Sequence, residues 1–214
     1  RKRRVAVNPL QPAGTTGDNV TANLRTVRSI PLFLEGKGLP ARLEVRGEVY
    51  IDKKDFERIN AEQEEKGEAV YANPRNLAAG SLKQLDPAIT ASRRLQCWIY
   101  QALDPASLSC TGQFEVLDKL REIGFRVNPD NARCGSMDEA IARIERWEKE
   151  KRKLDYMVDG MVVKVDSLAL AAALGETSKS PRWQLAYKYP PERKAPRLKE
   201  IVVQVGRLGT LTPV

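Results

Sequence analysis

Two lysines stand at the ends of apolar, strand-like runs. They are Lys164 in Asp159-Gly160-Met161-Val162-Val163-Lys164 and Lys188 in Trp183-Gln184-Leu185-Ala186-Tyr187-Lys188-Tyr189-Pro190. Neither has a packing reason to be there, and paired ammonium groups are what a phosphate-handling cleft needs. At roughly 4 Å, with an effective dielectric near 20, each would interact with a phosphate charge by about 4 kcal/mol, enough to matter in a transition state. Plainer readings stand beside this one. A lone lysine at a strand edge deters aggregation, Asp159-Gly160 suits a hairpin turn, and Glu48 beside Arg46 suits a cross-strand ion pair.

Composition narrows the chemistry. The 214 residues contain no histidine, so general base work would fall to Asp, Glu or Lys, and no Ser-His-Asp or Cys-His pair can be built. Cys97, Cys110 and Cys134 have no C-x-x-C spacing, which argues against a zinc site or a disulfide framework and suits a reducing cytoplasm. The net charge of +8 favours a polyanionic partner without identifying it. The longest apolar run, Leu168 to Leu174, is too short to span a bilayer, and Arg1-Lys2-Arg3-Arg4 lacks the apolar stretch of a signal peptide.

The elements that would position the lysines follow from periodicity. Leu43, Val45, Val49 and Ile51 fall on one strand face and Glu44, Arg46, Glu48 and Tyr50 on the other; Trp183, Leu185, Tyr187 and Tyr189 likewise oppose Arg182, Gln184, Ala186 and Lys188. If these strands are neighbours, one polar face presents Glu48, Lys164 and Lys188 together. Three helices serve as scaffold. Asp52 caps one with Phe56 and Ile59 on a face, Thr111 or Gly112 opens one with Phe114, Leu117, Leu120 and Ile123 before Gly124, and Ser136 with Glu139 begins one with Ile141, Ile144 and Trp147. In Asn73-Pro74-Arg75-Asn76-Leu77-Ala78-Ala79-Gly80-Ser81-Leu82-Lys83, a helix would bring Arg75 and Lys83 near one face.

Taken together in chain order, these segments resemble the adenylation domain of bacterial NAD-dependent DNA ligases. The matching stretches are Val45-Arg46-Gly47-Glu48-Val49, Asn73-Pro74-Arg75-Asn76, Ala79-Gly80-Ser81-Leu82-Lys83-Gln84-Leu85-Asp86, Asp159-Gly160-x-Val162-x-Lys164 and Ala186-Tyr187-Lys188-Tyr189-Pro190. Gly14-Thr15-Thr16-Gly17 through Ile30-Pro31, Ser180-Pro181-Arg182-Trp183, and Gln204-Val205-Gly206-Arg207 with Leu211-Thr212-Pro213-Val214 are similar to that family as well.

The resemblance implies an α+β nucleotidyltransferase fold, ATP-grasp-like, of antiparallel sheets with packed helices, and it covers that fold in part. It implies three phosphoryl transfers: a lysine takes AMP from NAD, AMP passes to a DNA 5′-phosphate, and a 3′-hydroxyl displaces AMP to seal the nick. By the same resemblance Lys188, Lys164 and Asp159 are catalytic, and Glu48, Arg75, Lys164 and Lys188 bind the nucleotide. Arg75 and Lys83 serve nucleotide or DNA phosphate, and Glu48 and Asp159 serve Mg2+. Where Lys83 stands the family often has arginine, so bidentate contact is not expected there. NAD, Mg2+ and nicked duplex DNA are the implied cofactors and partner, for a monomeric enzyme of the bacterial cytoplasm without membrane association.

One departure bears on activity. The family's nucleophile is the lysine of Lys-x-Asp-Gly, yet the only Asp-Gly here is Asp159-Gly160, with Met157 two places before the aspartate. The 214 residues are therefore expected to be inactive alone, with a non-catalytic nucleotide- or nucleic-acid-binding remnant as the alternative. Residues 1–13 read as an irregular basic lead-in, 14–190 as part of the adenylation domain, 191–198 as a Pro-containing linker and 199–214 as the first strand of an OB-fold domain. Family members run an Arg-Gly-Asp-Gly-like stretch into Gly-Thr-Thr-Gly, where this chain has Gln11-Pro12-Ala13-Gly14. A break that abrupt is expected from a reading-frame shift, a misplaced start or an engineered junction, and the frame shift is favoured.

Overall fold

A computed structural model describes residues 3–4, 18–36, 39–178, 180–190, 200–207 and 209–213. The Gly14-Thr15-Thr16-Gly17 stretch, most of the lead-in and the 191–198 linker lie outside them. The elements in order are β1 (Arg3–Arg4), α1 (Thr21–Leu24), β2 (Phe33–Leu34), β3 (Val45–Tyr50), α2 (Lys53–Glu65), α3 (Pro74–Leu82), α4 (Pro87–Ser92) and β4 (Gln96–Ala102). They continue with α5 (Gln113–Glu122), α6 (Met137–Glu150), β5 (Gly160–Lys164), α7 (Leu168–Leu174), β6 (Gln184–Lys188), β7 (Val203–Val205) and β8 (Leu211–Pro213). Among the described residues the strands form antiparallel pairs, β1–β2, β3–β4, β5–β6 and β7–β8. The mixed α and β composition with small antiparallel sheets agrees with expectation. Arg3 and Arg4 pair with Leu34 and Phe33 rather than being irregular, and the strand expected near residue 203 has a partner in β8.

The core lies between the β3–β4 pair and the helices. Leu77, Val116 and Leu120 are almost wholly buried, with Cys97 and Ile99 reaching in from β4. Local chemistry explains the helix ends. Asn73 Oδ1 accepts from Arg75 N at 2.7 Å with Pro74 at the first helical position, so α3 starts where the sequence says it should. Glu115 Oε2 accepts from Thr111 N at 2.8 Å and Gly112 N at 3.2 Å, and Gly124 at φ +104° turns the chain out of α5. Reading α5 at three-residue steps from Phe114 to Ile123 passes over Val116, which is fully buried, while Phe114 is half-buried.

Two expectations need correction. Ser136 Oγ does cap α6, but Glu139 reaches Gly135 N at 2.7 Å, and Ile141 on the supposed core face is exposed. Ala140 is the residue of α6 that the fold buries, so this helix is lightly docked. Asp159-Gly160 is not a turn: Gly160 opens β5 in register with Lys188. A Cβ on Gly160 would sit 2.0 Å from the Tyr187 carbonyl oxygen, so this glycine is demanded by cross-strand approach. Gly47 is demanded in the same way, since a Cβ there would meet Ile99 Cδ1 at 2.6 Å and the Trp98 carbonyl oxygen at 2.8 Å. All three cysteines are free thiols, and among the described residues no helix is long and apolar enough to cross a membrane.

Candidate functional site

Glu48, Arg75 and Asp159 come from three distant parts of the chain and meet. Arg75, in the first turn of α3, places Nη2 3.7 Å from Glu48 Oε1 and Nη1 3.4 Å from Asp159 Oδ2. Asn73 sets this by fixing where α3 begins, and the strand parity of β3 sets Glu48 away from the core. All three side chains are more than half exposed, so the contacts are worth little to stability and leave the groups open to a ligand. Lys188 is the register partner of Gly160, immediately beside Asp159, and Tyr189 N donates to the Asp159 carbonyl at 3.1 Å. Lys188 is itself exposed.

Lys164 sits at the other end of the β5–β6 ribbon, opposite Gln184. The single polar sheet face anticipated for Glu48, Lys164 and Lys188 is therefore not formed, because β3 pairs with β4 and not with either strand of the ribbon. Lys164 instead meets the β3–β4 pair at an irregularity. The register jumps from Arg46↔Gln101 to Gly47↔Ile99, which leaves Tyr100 bulged and exposed. Lys164 Nζ donates to the Tyr100 carbonyl at 3.4 Å and lies 5.0 Å from the centre of its ring. Glu48 is close enough to Tyr100 that its charge, after burial, pushes the phenol pKa up.

Burial lowers the Lys164 pKa to about 8, and among the described residues no carboxylate pairs with it. A desolvated ammonium whose hydrogen bond goes to a neutral carbonyl is the arrangement an incoming anion would relieve. Tyr100 was missed by sequence reasoning, which read strands as unbroken alternation; no residue type in Gln96 to Ala102 announces the bulge. Lys83 is not in this cluster. It ends α3 and pairs with Asp18 at 3.4 Å, one helix length from Arg75, while the buried Asn23 donates to the carbonyls of Leu82 and Gln84 on either side of it.

Among the described residues no three Asp, Glu, Cys or His side chains converge to hold a metal. Glu48 and Asp159 fit the lesser role Mg2+ usually asks of protein, one or two carboxylates completed by water and substrate phosphate.

A profile of the NAD-dependent DNA ligase adenylation domain matches residues 11–192. The DNA ligase of Bacillus cytotoxicus is 48% identical over 200 residues, which is 94% of this chain and 29% of that protein. The DNA ligase of Thermotoga neapolitana is 47% identical over 201 residues, 94% of this chain and 29% of its own length. That of Carboxydothermus hydrogenoformans is 48% identical over 200 residues, 94% and 30% respectively. The chain thus spans less than a third of the length of these relatives. A match running through every element that builds the site, from β3 to β6, shows that the chain belongs to the NAD-dependent DNA ligase adenylation domain family.

Proposed function

We propose that this chain is the nucleotide-handling part of an NAD-dependent DNA ligase of the bacterial cytoplasm, monomeric and acting on nicked duplex DNA with NAD as substrate. Its fold on this reading is the ATP-grasp-like nucleotidyltransferase fold, with 14–190 in the adenylation domain, 191–198 a linker and 199–214 the start of an OB-fold domain. The observation that carries the reading is Lys164, desolvated, hydrogen-bonded to the Tyr100 carbonyl and lying over that residue's ring, with no carboxylate partner among the described residues. A nucleotide offers what that setting lacks: a phosphate for the ammonium and a planar base for a ring.

Each residue then has a task. Lys164 and Lys188 bring positive charge from the two ends of the ribbon to the α-phosphate, where charge builds in phosphoryl transfer. Arg75 orients Glu48 and Asp159 and offers a planar fork to phosphate. Glu48 and Asp159 would hold Mg2+, which when bound supplies charge neutralisation to phosphate oxygens. Lys83, released from Asp18, serves DNA phosphate as a point charge.

The family nucleophile is not among these residues, because the sequence has no Lys-x-Asp-Gly. Mixed with NAD and magnesium, the 214-residue chain is expected to gain no AMP mass; a stable lysine–AMP adduct by intact-mass spectrometry would contradict that. The ligase reading itself is tested by exchange. Residues 18–190 of this chain, placed in the Bacillus cytotoxicus DNA ligase in place of the matching segment, should preserve NAD-dependent nick sealing. A folded chimera that binds nucleotide but seals nothing would favour the non-catalytic remnant.

A further inference from the structure

The site is split between two units that share no sheet: Glu48, Arg75 and Tyr100 belong to the β3–β4 side, Asp159, Lys164 and Lys188 to the β5–β6 ribbon. Something must fix the distance between them. Arg75 alone cannot, since its contacts to Glu48 and Asp159 are long and solvent-exposed. The segment leading into β5 carries the stronger attachment. The Tyr156 ring lies 4.9 Å from that of Tyr50 and 6.4 Å from that of Trp98, and these two stack on each other at 5.9 Å. Arg126 closes the stack, 4.1 Å over Trp98, and Asn128 Nδ2 donates to the Tyr156 hydroxyl at 2.9 Å. Beside the rings, Lys53 N donates to the Asp155 carbonyl at 2.7 Å and Lys53 Nζ to that of Leu154 at 2.6 Å.

The positions of these rings matter for the site. Trp98 is the cross-strand partner of Glu48, and Tyr50 follows Glu48 by two residues on the same strand face. Tyr156 precedes Asp159 by three residues, a reach of no more than about 10 Å. The rings therefore join the backbone beside one carboxylate to the backbone beside the other. We infer that Tyr156 is a positioning residue, the staple that holds Asp159 within reach of Arg75 and Glu48. The inference rests on reading those three groups as one ligand site, and it assigns Tyr156 no contact with the ligand.

The test uses the full chain with AMP as probe. Affinities are measured for Arg75→Gln, Asp159→Asn and the double variant, in the parent, in Tyr156→Phe and in Tyr156→Leu. Groups that act together are non-additive, so the parent and Tyr156→Phe should show coupling of about threefold or more, and Tyr156→Leu should reduce it to near none. Coupling in Tyr156→Leu equal to that of the parent overturns the inference. If Tyr156→Leu does not fold, Tyr50→Leu removes the same contact from the β3 side and is read identically.

A second reading needs no nucleotide. Rotation of the Arg75 guanidinium, followed by 15N NMR, should be slowed in the parent and in Tyr156→Phe and free in Tyr156→Leu. Rotation unaffected by Tyr156→Leu would overturn the staple. Failure of AMP to bind the parent would instead overturn the ligand site, leaving the rotation measurement to decide the staple.

Discussion

The β3–β4 pair and the β5–β6 ribbon carry the same kind of sequence and meet different fates. Both are two-stranded and antiparallel, and both are rich in β-branched and aromatic residues. In the first, Cys97 and Ile99 are buried and Val45 and Val49 pack against the core, so one face is committed. In the second no residue of either strand is buried, and Leu185 remains 67% exposed. The two lysines proposed to serve the α-phosphate, Lys164 and Lys188, sit on the second. A core-packed wall thus faces a ribbon held by attachments at its ends: the rings around Tyr156, and Asp166, whose carboxylate accepts from Phe114 N at 2.8 Å and pairs with Arg133 at 2.8 Å. Strand parity fixes which side chains share a face without fixing what covers that face.

The comparison breaks most visibly in the core. Leu120→Ala should destabilise the chain by about 2 to 5 kcal/mol, as for other buried leucines, while Leu185→Ala should stay within about 0.5 kcal/mol. Urea melts of both variants give the answer, and equal losses would mean that the ribbon is as well packed as the wall.

Lys188→Ala sharpens it on the functional side. In the chimeric ligase it should slow adenylation by about two orders of magnitude, since removing one preorganised charge donor costs about 2.7 to 4 kcal/mol. A loss below about threefold with folding intact would remove Lys188 from the transition state. Gly160→Ala comes next: its Cβ would collide with the Tyr187 carbonyl oxygen, and about 1 to 3 kcal/mol of strain should appear as faster amide exchange along β5 and β6 alone. Unchanged exchange there would show that the strands part without cost.

Much of the site was legible and the reasons are local. The capping by Asn73 and the Pro74 after it placed Arg75, and strand parity placed Glu48 outward. What the sequence could not carry was adjacency. The expected shared face of Glu48, Lys164 and Lys188 required β3 to pair with the ribbon, and pairing is decided by long-range packing. The Tyr100 bulge was hidden for a similar reason, because the extra residue is defined only against the partner strand. Lys83 was placed near Arg75 by helical angle, yet eight residues also advance the chain about 12 Å along the axis, and that separation delivered it to Asp18.

A smaller effect follows from Lys164. Its folded pKa of about 8 lies below the unfolded 10.5, so between those values the unfolded chain holds more protons and stability rises with pH. Below pH 8 the cost is complete. Lys164→Met should therefore stabilise at pH 7 by about 1 to 2 kcal/mol, after discounting the full shift for partial exposure, and the gain should shrink toward pH 10. Equal gains at both pH values would point to packing of the methionine instead.

The most direct test of the account is the titration of the Lys164 ammonium by NMR of its ε-carbon, with and without AMP. A midpoint near 8 is expected in the free chain, as burial sets it, with a rise when the phosphate arrives to pair with the ammonium. Titration together with ordinary lysines near about 10.4 in the free chain, or a midpoint that AMP leaves unmoved, would contradict it.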